Sequence, residues 1–211
     1  MVMGQYLVLL RGINVGGKNI IKMADLKAAF EALGFSNVVT YIQSGNVIFQ
    51  SDESDKAALT TRIEKGLSKR FNFDAKVVVI AQKELASIVR SAPEGFGSDD
   101  EKFRYDVIFL KEPLTSKEAM KSVSVREGVD TAHAGRQALY FSRLVSRISQ
   151  THLTKIIGTP IYQSMTIRNW NTTTKLLALM EEQIPARREK RFNESSNCIY
   201  RQIRRKPKEN K

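Results

Sequence analysis

The order of apolar periodicities along these 211 residues predicts an α+β fold: tandem ferredoxin-like βαββαβ units, then a C-terminal helix and a basic tail. Three observations carry that prediction. A continuous apolar run, Tyr6 to Leu10, opens the chain, and helical and strand periodicities then alternate as βαββαβ to about Arg90. A turn-rich break follows at Pro93-Glu94-Gly95-Phe96-Gly97-Ser98-Asp99-Asp100. Beyond it the same order returns, with the hairpin arm Leu139-Tyr140-Phe141-Ser142 resembling Val47-Ile48-Phe49-Gln50-Ser51. The units are expected at 1–93 and 101–185, the second complete or truncated, with the tail at 186–211.

In the first unit, Tyr6 to Leu10 suits a strand covered by other elements. Met23, Leu26, Phe30 and Leu33 recur at helical spacing and stop at Gly34. Val38 to Ile42 and Val47 to Gln50 are strands joined by a turn at Ser44-Gly45-Asn46. Leu59, Ile63, Leu67 and Phe71 form one face of a helix started near Ser54-Asp55. Val77 to Ile80 is the fourth strand, and Gln82 to Arg90 a short helix. In the second unit, Tyr105 to Leu110 is a strand and Ser116 to Val123 a helix. Val129 to His133 and Ala138 to Ser142 form a hairpin around Ala134-Gly135-Arg136. A helix is expected near His152 to Ile157, a strand at Gln163 to Ile167, and a last helix from Thr172 to Glu182 capped by Asn171.

The chemistry concentrates in Leu9-Leu10-Arg11-Gly12-Ile13-Asn14-Val15-Gly16-Gly17-Lys18-Asn19, where a strand runs into glycines, asparagines and two cations. Gly12, Gly16 and Gly17 allow backbone N–H groups to turn inward on an anion, and Arg11 and Lys18 add positive charge. Gly12, Gly17 and Lys18 match the spacing of a nucleotide phosphate loop. However, Asn19 stands where a magnesium-binding hydroxyl belongs, and Ile20-Ile21 occupies the expected helix start. The match to a metal-dependent nucleotide hydrolase is therefore disfavoured, and the glycines lack dinucleotide-fingerprint spacing. The plain alternative is a tight connection in which the glycines serve only the turn.

In βαββαβ order the first and second strands run the same way. The loop after the first strand and the turn after the second then share one end of the sheet. Arg11, Asn14, Lys18 and Asn19 should therefore lie near Gln43, Ser44 and Asn46. That set holds amides and donors but no carboxylate, histidine or cysteine, which suits binding rather than proton transfer. Catalytic residues are not assignable. A second polar element, Thr166 to Thr174, lies between a strand and a helix N-terminus. There Arg168, Asn169 and Asn171 could hold an anion and Trp170 stack on a base or sugar, or the polar residues cap the helix while Trp170 packs in the core. Arg168 reaches the Arg11 cluster only if the second unit is inverted relative to the first, and a shared cleft is expected on that basis.

The net charge of +12 is unevenly placed. Residues 187–211 hold ten Lys or Arg against three Glu. This tail is read as a nonspecific nucleic-acid arm or as a solubilising terminus. Lone Cys198 excludes a disulfide framework, and His133 and His152 give no zinc spacing and no triad. Tyr105, Phe109, Tyr140 and Phe141 lack the signature of an RNA-recognition sheet. No signal peptide is read near Met1 and no apolar run approaches a membrane span, so a cytoplasmic location with no membrane contact is expected. Neither cofactor nor oligomeric state is assignable.

The motifs Leu9-Leu10-Arg11-Gly12-Ile13-Asn14-Val15-Gly16-Gly17, Tyr41-Ile42-Gln43-Ser44-Gly45-Asn46-Val47 and Thr166 to Thr172 together resemble the bacterial domain-of-unknown-function family 1697. The resemblance spans roughly 4–182 and leaves the basic tail outside it. It implies a cytoplasmic α+β protein with ferredoxin-like elements, and it implies no activity.

Overall fold

A computed structural model describes residues 3–183. The basic segment, with Cys198, lies outside the described residues. The architecture is mixed α+β, with two four-stranded antiparallel sheets and a helix closing the described chain. The first sheet comprises β1 (Gly4–Leu10), β2 (Ser36–Tyr41), β3 (Asn46–Ser51) and β4 (Val77–Ala81), in the order β2-β3-β1-β4. The second comprises β5 (Phe103–Leu110), β6 (Asp130–Ala134), β7 (Ala138–Leu144) and β8 (Met165–Asn169), in the order β6-β7-β5-β8. Each places its first strand between the third and the fourth, so the two sheets repeat one strand order.

Alternation along β1 explains its continuous apolar run. Tyr6, Val8 and Leu10 face helices α1 (Met23–Ala32) and α2 (Lys56–Phe71), packing on Leu26, Phe30, Leu59, Ile63 and Leu67. Leu7 and Leu9 face the other way, into a middle core with Ile48, Val78 and Ile80. A strand buried on both faces has no polar alternation to show. The middle core is completed by Tyr105, Val107, Phe109, Ala138 and Tyr140 of the second sheet. Leu85 and Ile88 of α3 (Gln82–Arg90) join it, with Trp170, Leu176 and Met180 of α5 (Trp170–Glu182). The outer face of the second sheet, Ile108, Leu110, Leu139, Phe141 and Met165, packs on Ala119 of α4 (Ser116–Met120) and on Leu153 and Ile156.

Several expectations shift. The stretch near His152 to Ile157 is not an α-helix. Three 3-10 turns, Val145–Gln150, Leu153–Gly158 and Pro160–Ser164, connect β7 to β8. Buried Asp130 accepts from the Thr151 hydroxyl at 2.6 Å and the His152 N–H at 2.8 Å, and Gly158 and Pro160 interrupt further winding. α4 ends at Met120, three residues short of the expected Val123. β8 lies two residues later than expected, and α5 is capped by Asn169 rather than Asn171, because the Asn169 side chain accepts the Asn171 N–H. The 93–100 segment is not a bare exposed linker. Phe96 packs edge-on against Tyr105, Tyr140 and Trp170 at ring separations of 4.9, 5.4 and 5.2 Å.

Candidate functional site

The glycine loop forms a small hairpin. Val15 and Lys18 pair across a turn in which Gly16 and Gly17 both have positive φ (59° and 74°), which suits a tight primed turn. Asn14 and Asn19 lie in the left-handed region at its base, where the Asn14 N–H donates to Asn19 O at 3.2 Å. The Asn14 amide pins the hairpin down, donating to Ile21 O and Gln43 O and accepting from the Ile21 N–H. The Asn19 side chain donates to Gly12 O. Val15, Lys18, Ile20 and Ile42 stand exposed around this end. Arg11 lies over the Tyr162 ring and donates to Tyr162 O at 3.3 Å.

The two motif loops do meet, and Arg168 joins them from β8. Its Nε donates to Asn46 Oδ1 at 2.6 Å. Its Nη1 donates to Thr166 Oγ1 and Ile167 O, and its Nη2 to Leu10 O and Ser44 O at 2.7 and 2.8 Å. These contacts account for all five N–H groups of the guanidinium, so Arg168 clamps one sheet to the other rather than forking a phosphate. No carboxylate among the described residues accepts from it, and burial pushes its pKa down to about 10. Asn46 is fully buried and its amide donates to Tyr41 O and Ser44 Oγ. Asn169 holds Tyr105 O and the α5 N-terminus, while Asn171 reaches Asp100. Trp170 is a core residue, 6% exposed. The expected cluster is thus largely hydrogen-bonded to itself; exposed Lys18 and half-buried Arg11 are the cations it presents.

A second locus carries more chemistry. A cleft of about 370 Å³ lies between α2, β4, the start of α3, the loop after β5 and the β6–β7 hairpin. Along its wall runs the outer edge of β4. The Arg11 N–H donates to Lys76 O, so in the β1–β4 ladder residues 78 and 80 bond toward β1 while 77, 79 and 81 turn outward. Two carboxylates cap that edge. Glu64 Oε1 accepts the Val77 N–H at 2.9 Å, and Glu84 Oε2 accepts the Ala81 N–H at 2.8 Å. Val79, between them, takes no partner on this side among the described residues.

Each carboxylate also holds a lysine. Lys111 Nζ lies 2.7 Å from Glu64 Oε1, and Lys56 Nζ lies 2.5 Å from Glu84 Oε1 and 2.6 Å from Glu112 Oε1. Burial alone would lower the Lys56 pKa, but the hydrogen bonds it donates to Glu112 and Glu84 outweigh burial and hold the ammonium above its ordinary range. Burial alone would raise Glu84, but Lys56 and the Ala81 N–H hold it below the usual carboxylate range. The partners differ in exposure: the Glu84 side chain is 25% exposed and that of Glu112 66%. Gln137 also donates to Glu84, and Arg136 stands exposed at the rim. The sequence reading missed all of these residues. One signal was there: Lys56, Thr60 and Glu64 recur every four residues beside the apolar Leu59-Ile63-Leu67 face, a polar stripe facing the protein rather than water. No group of three or more His, Cys, Asp or Glu among the described residues could hold a metal ion. No helix among them is long and apolar enough to cross a membrane.

The profile of a protein family described as "Protein of unknown function (DUF1697)" matches residues 3–140. The chain belongs to that family. The match takes in the glycine loop, the Tyr41–Val47 turn and all the cleft residues named above, and it ends before the Thr166–Thr172 element. No curated protein matches the chain. Among solved structures, the conserved bacterial protein SP0830 from Streptococcus pneumoniae is similar, with 27% sequence identity and a TM-score of 0.74. That similarity covers 85% of this chain and 99% of the other.

Proposed function

We propose that this protein binds a small carboxylate- or phosphate-bearing ligand in the cleft between its two sheets. One observation carries the reading: Lys56 is fixed by the sheltered Glu84, while its second carboxylate, Glu112, is two-thirds exposed and bonds to nothing else among the described residues. A ligand anion can take the place of Glu112 on Lys56 at little structural cost, because Glu112 regains water when released. The competing seat for the same ligand class is the β1–α1 hairpin, with Arg11, Gly12, Gly16, Gly17, Lys18 and Asn19 beside Gln43 and Ser44. Titration calorimetry with a panel of small carboxylates and phosphates separates the two. Lys56→Met should abolish binding while Arg11→Ala and Lys18→Ala leave it unchanged, and the opposite pattern returns the site to the hairpin.

The repeated strand order supports reading 1–93 and 101–185 as two ferredoxin-like units, with 3-10 turns in place of the second unit's second helix. The charge of 187–211 favours a second reading, a polyanion-binding arm for nucleic acid. Truncation after Ile184 should then remove a steeply salt-dependent affinity for DNA or RNA and leave cleft binding intact. A cytoplasmic setting suits both readings.

A further inference from the structure

We infer that the cleft takes a short extended peptide, about three residues long with free termini, lying parallel to β4 as an added strand. This rests on the cleft-binding reading above and names its ligand. The outward backbone groups of β4 supply the warrant. Val79 directs both its N–H and its C=O into the cleft, a pair that an added strand requires. The neighbouring outward N–H groups, at Val77 and Ala81, are already capped by Glu64 and Glu84. The edge therefore has room for one residue's pair of backbone hydrogen bonds and no more, which limits the length of the guest.

The charges at the two ends set its direction. At the Ala81 end both Glu84 oxygens are engaged, Oε1 by Lys56 and Gln137 and Oε2 by Ala81. What that end offers a ligand is the Lys56 ammonium, once Glu112 swings away. At the Val77 end, Glu64 Oε1 accepts from Val77 and Lys111 while Oε2 has no partner among the described residues. What this end offers is a sheltered carboxylate oxygen. A peptide carboxylate belongs on Lys56 and a peptide ammonium on Glu64, so the guest runs from the Val77 end to the Ala81 end, parallel to β4. In a parallel pairing, the first residue's C=O accepts from the Val79 N–H and the third residue's N–H donates to Val79 O. The span agrees: Val77 and Ala81 are about 13 Å apart along the strand, and three extended residues cover about 10 Å. Ile80, Ile88, Phe109 and Leu110 give the side chains an apolar wall.

The test uses the full chain with trialanine, its N-acetyl and C-amide forms, a form N-methylated at the third residue, succinate and inorganic phosphate. Affinity is read by calorimetry and the site by NMR shifts. Trialanine should bind with shifts at Val79. Each capped form, the N-methyl form and Lys56→Met should each weaken it about tenfold or more, the loss of one charge-assisted or backbone hydrogen bond. Val79→Pro, which removes an outward N–H on an edge strand, should do the same, and the N-methyl peptide makes the same point should that variant unfold. Succinate or phosphate binding at Lys56 as tightly as trialanine, with capping and N-methylation without effect, would overturn the peptide inference and leave the anion site standing. No Lys56-dependent binding of any of these probes would overturn both readings.

Discussion

Arg168 Nε and Asn46 Oδ1 lie 2.6 Å apart across 122 positions of sequence, joining the last strand of one sheet to the first residue of β3 in the other. Arg168 is 8% exposed, and its guanidinium meets carbonyls, an amide and a hydroxyl rather than a countercharge among the described residues. Removing it strands Leu10 O, Ser44 O and Asn46 Oδ1 together. Arg168→Met should cost about 3–5 kcal/mol in urea unfolding. Arg168→Lys should recover little, because an ammonium cannot reproduce the planar fork. Asn46→Leu should couple to Arg168→Met by about 1–3 kcal/mol in a double-mutant cycle, and strict additivity would count against the clamp.

Gly97 has φ +85°, and a Cβ built there would stand 2.1 Å from Trp170 Nε1. The indole is wedged between Phe96 and the middle core, so it has no direction in which to yield cheaply. Gly97→Ala should cost about 2–4 kcal/mol from overpacking together with left-handed backbone strain. Trp170 is the chain's one tryptophan, so its emission should report the displacement directly. Unchanged emission and stability would mean that the 93–100 segment does not hold the indole.

The Glu84 carboxyl is held below its ordinary pKa by Lys56 and the Ala81 N–H, against the opposing effect of burial. A depressed acid contributes stability that is present above the unfolded pKa and is lost as pH falls through the folded one. The stability gap between wild type and Glu84→Gln should thus be full near pH 7 and close progressively below about pH 4.5. Denaturant melts at a series of pH values check this, and a gap independent of pH would show that the carboxylate charge does not contribute.

Ile42 is a β-branched residue at φ +48°, and the residue is 48% exposed. Left-handed backbone strains such a side chain, and its exposure means that little burial is lost on replacement. Ile42→Asn should raise stability by about 1 kcal/mol, read as an increase in Tm. A fall in Tm would show that the exposed isoleucine makes packing contacts worth more than the strain.

Much of the fold could be read from the sequence because the strands advertise their burial. Tyr6 to Leu10 and Val77 to Ile80 are apolar throughout, since both of their faces are covered. The Asp55 cap and the Gln82–Arg90 helix follow from local rules alone. The connection from β7 to β8 is not legible locally because its conformation is set by Asp130, a buried carboxylate 21 residues before Thr151. At the glycine loop the sequence brings the two motif turns together, as the Asn14–Gln43 and Arg168–Asn46 bonds show, but it places neither Arg11 on Tyr162 nor the amides on carbonyls: amides that suit an anion suit backbone carbonyls equally well. The cleft was invisible for a different reason. Lys56, Glu64, Glu84, Lys111 and Glu112 are scattered over 57 positions, and each one alone reads as a solvated surface charge.

The middle core makes the two halves of the chain halves of one thing. Leu7, Leu9, Ile48, Val78 and Ile80 have as their solvent shield Tyr105, Val107, Tyr140 and Trp170, and the Tyr140 hydroxyl reaches back to Ile88 O at 2.6 Å. Cut within 93–100, neither fragment could hide its inner sheet face from water. Each would be a sticky, poorly folded partner awaiting the other. Mixed together, the two pieces should recombine one to one and regain buried Trp170 emission, so that the molecule serves as a natural split reporter whose signal appears only on reunion.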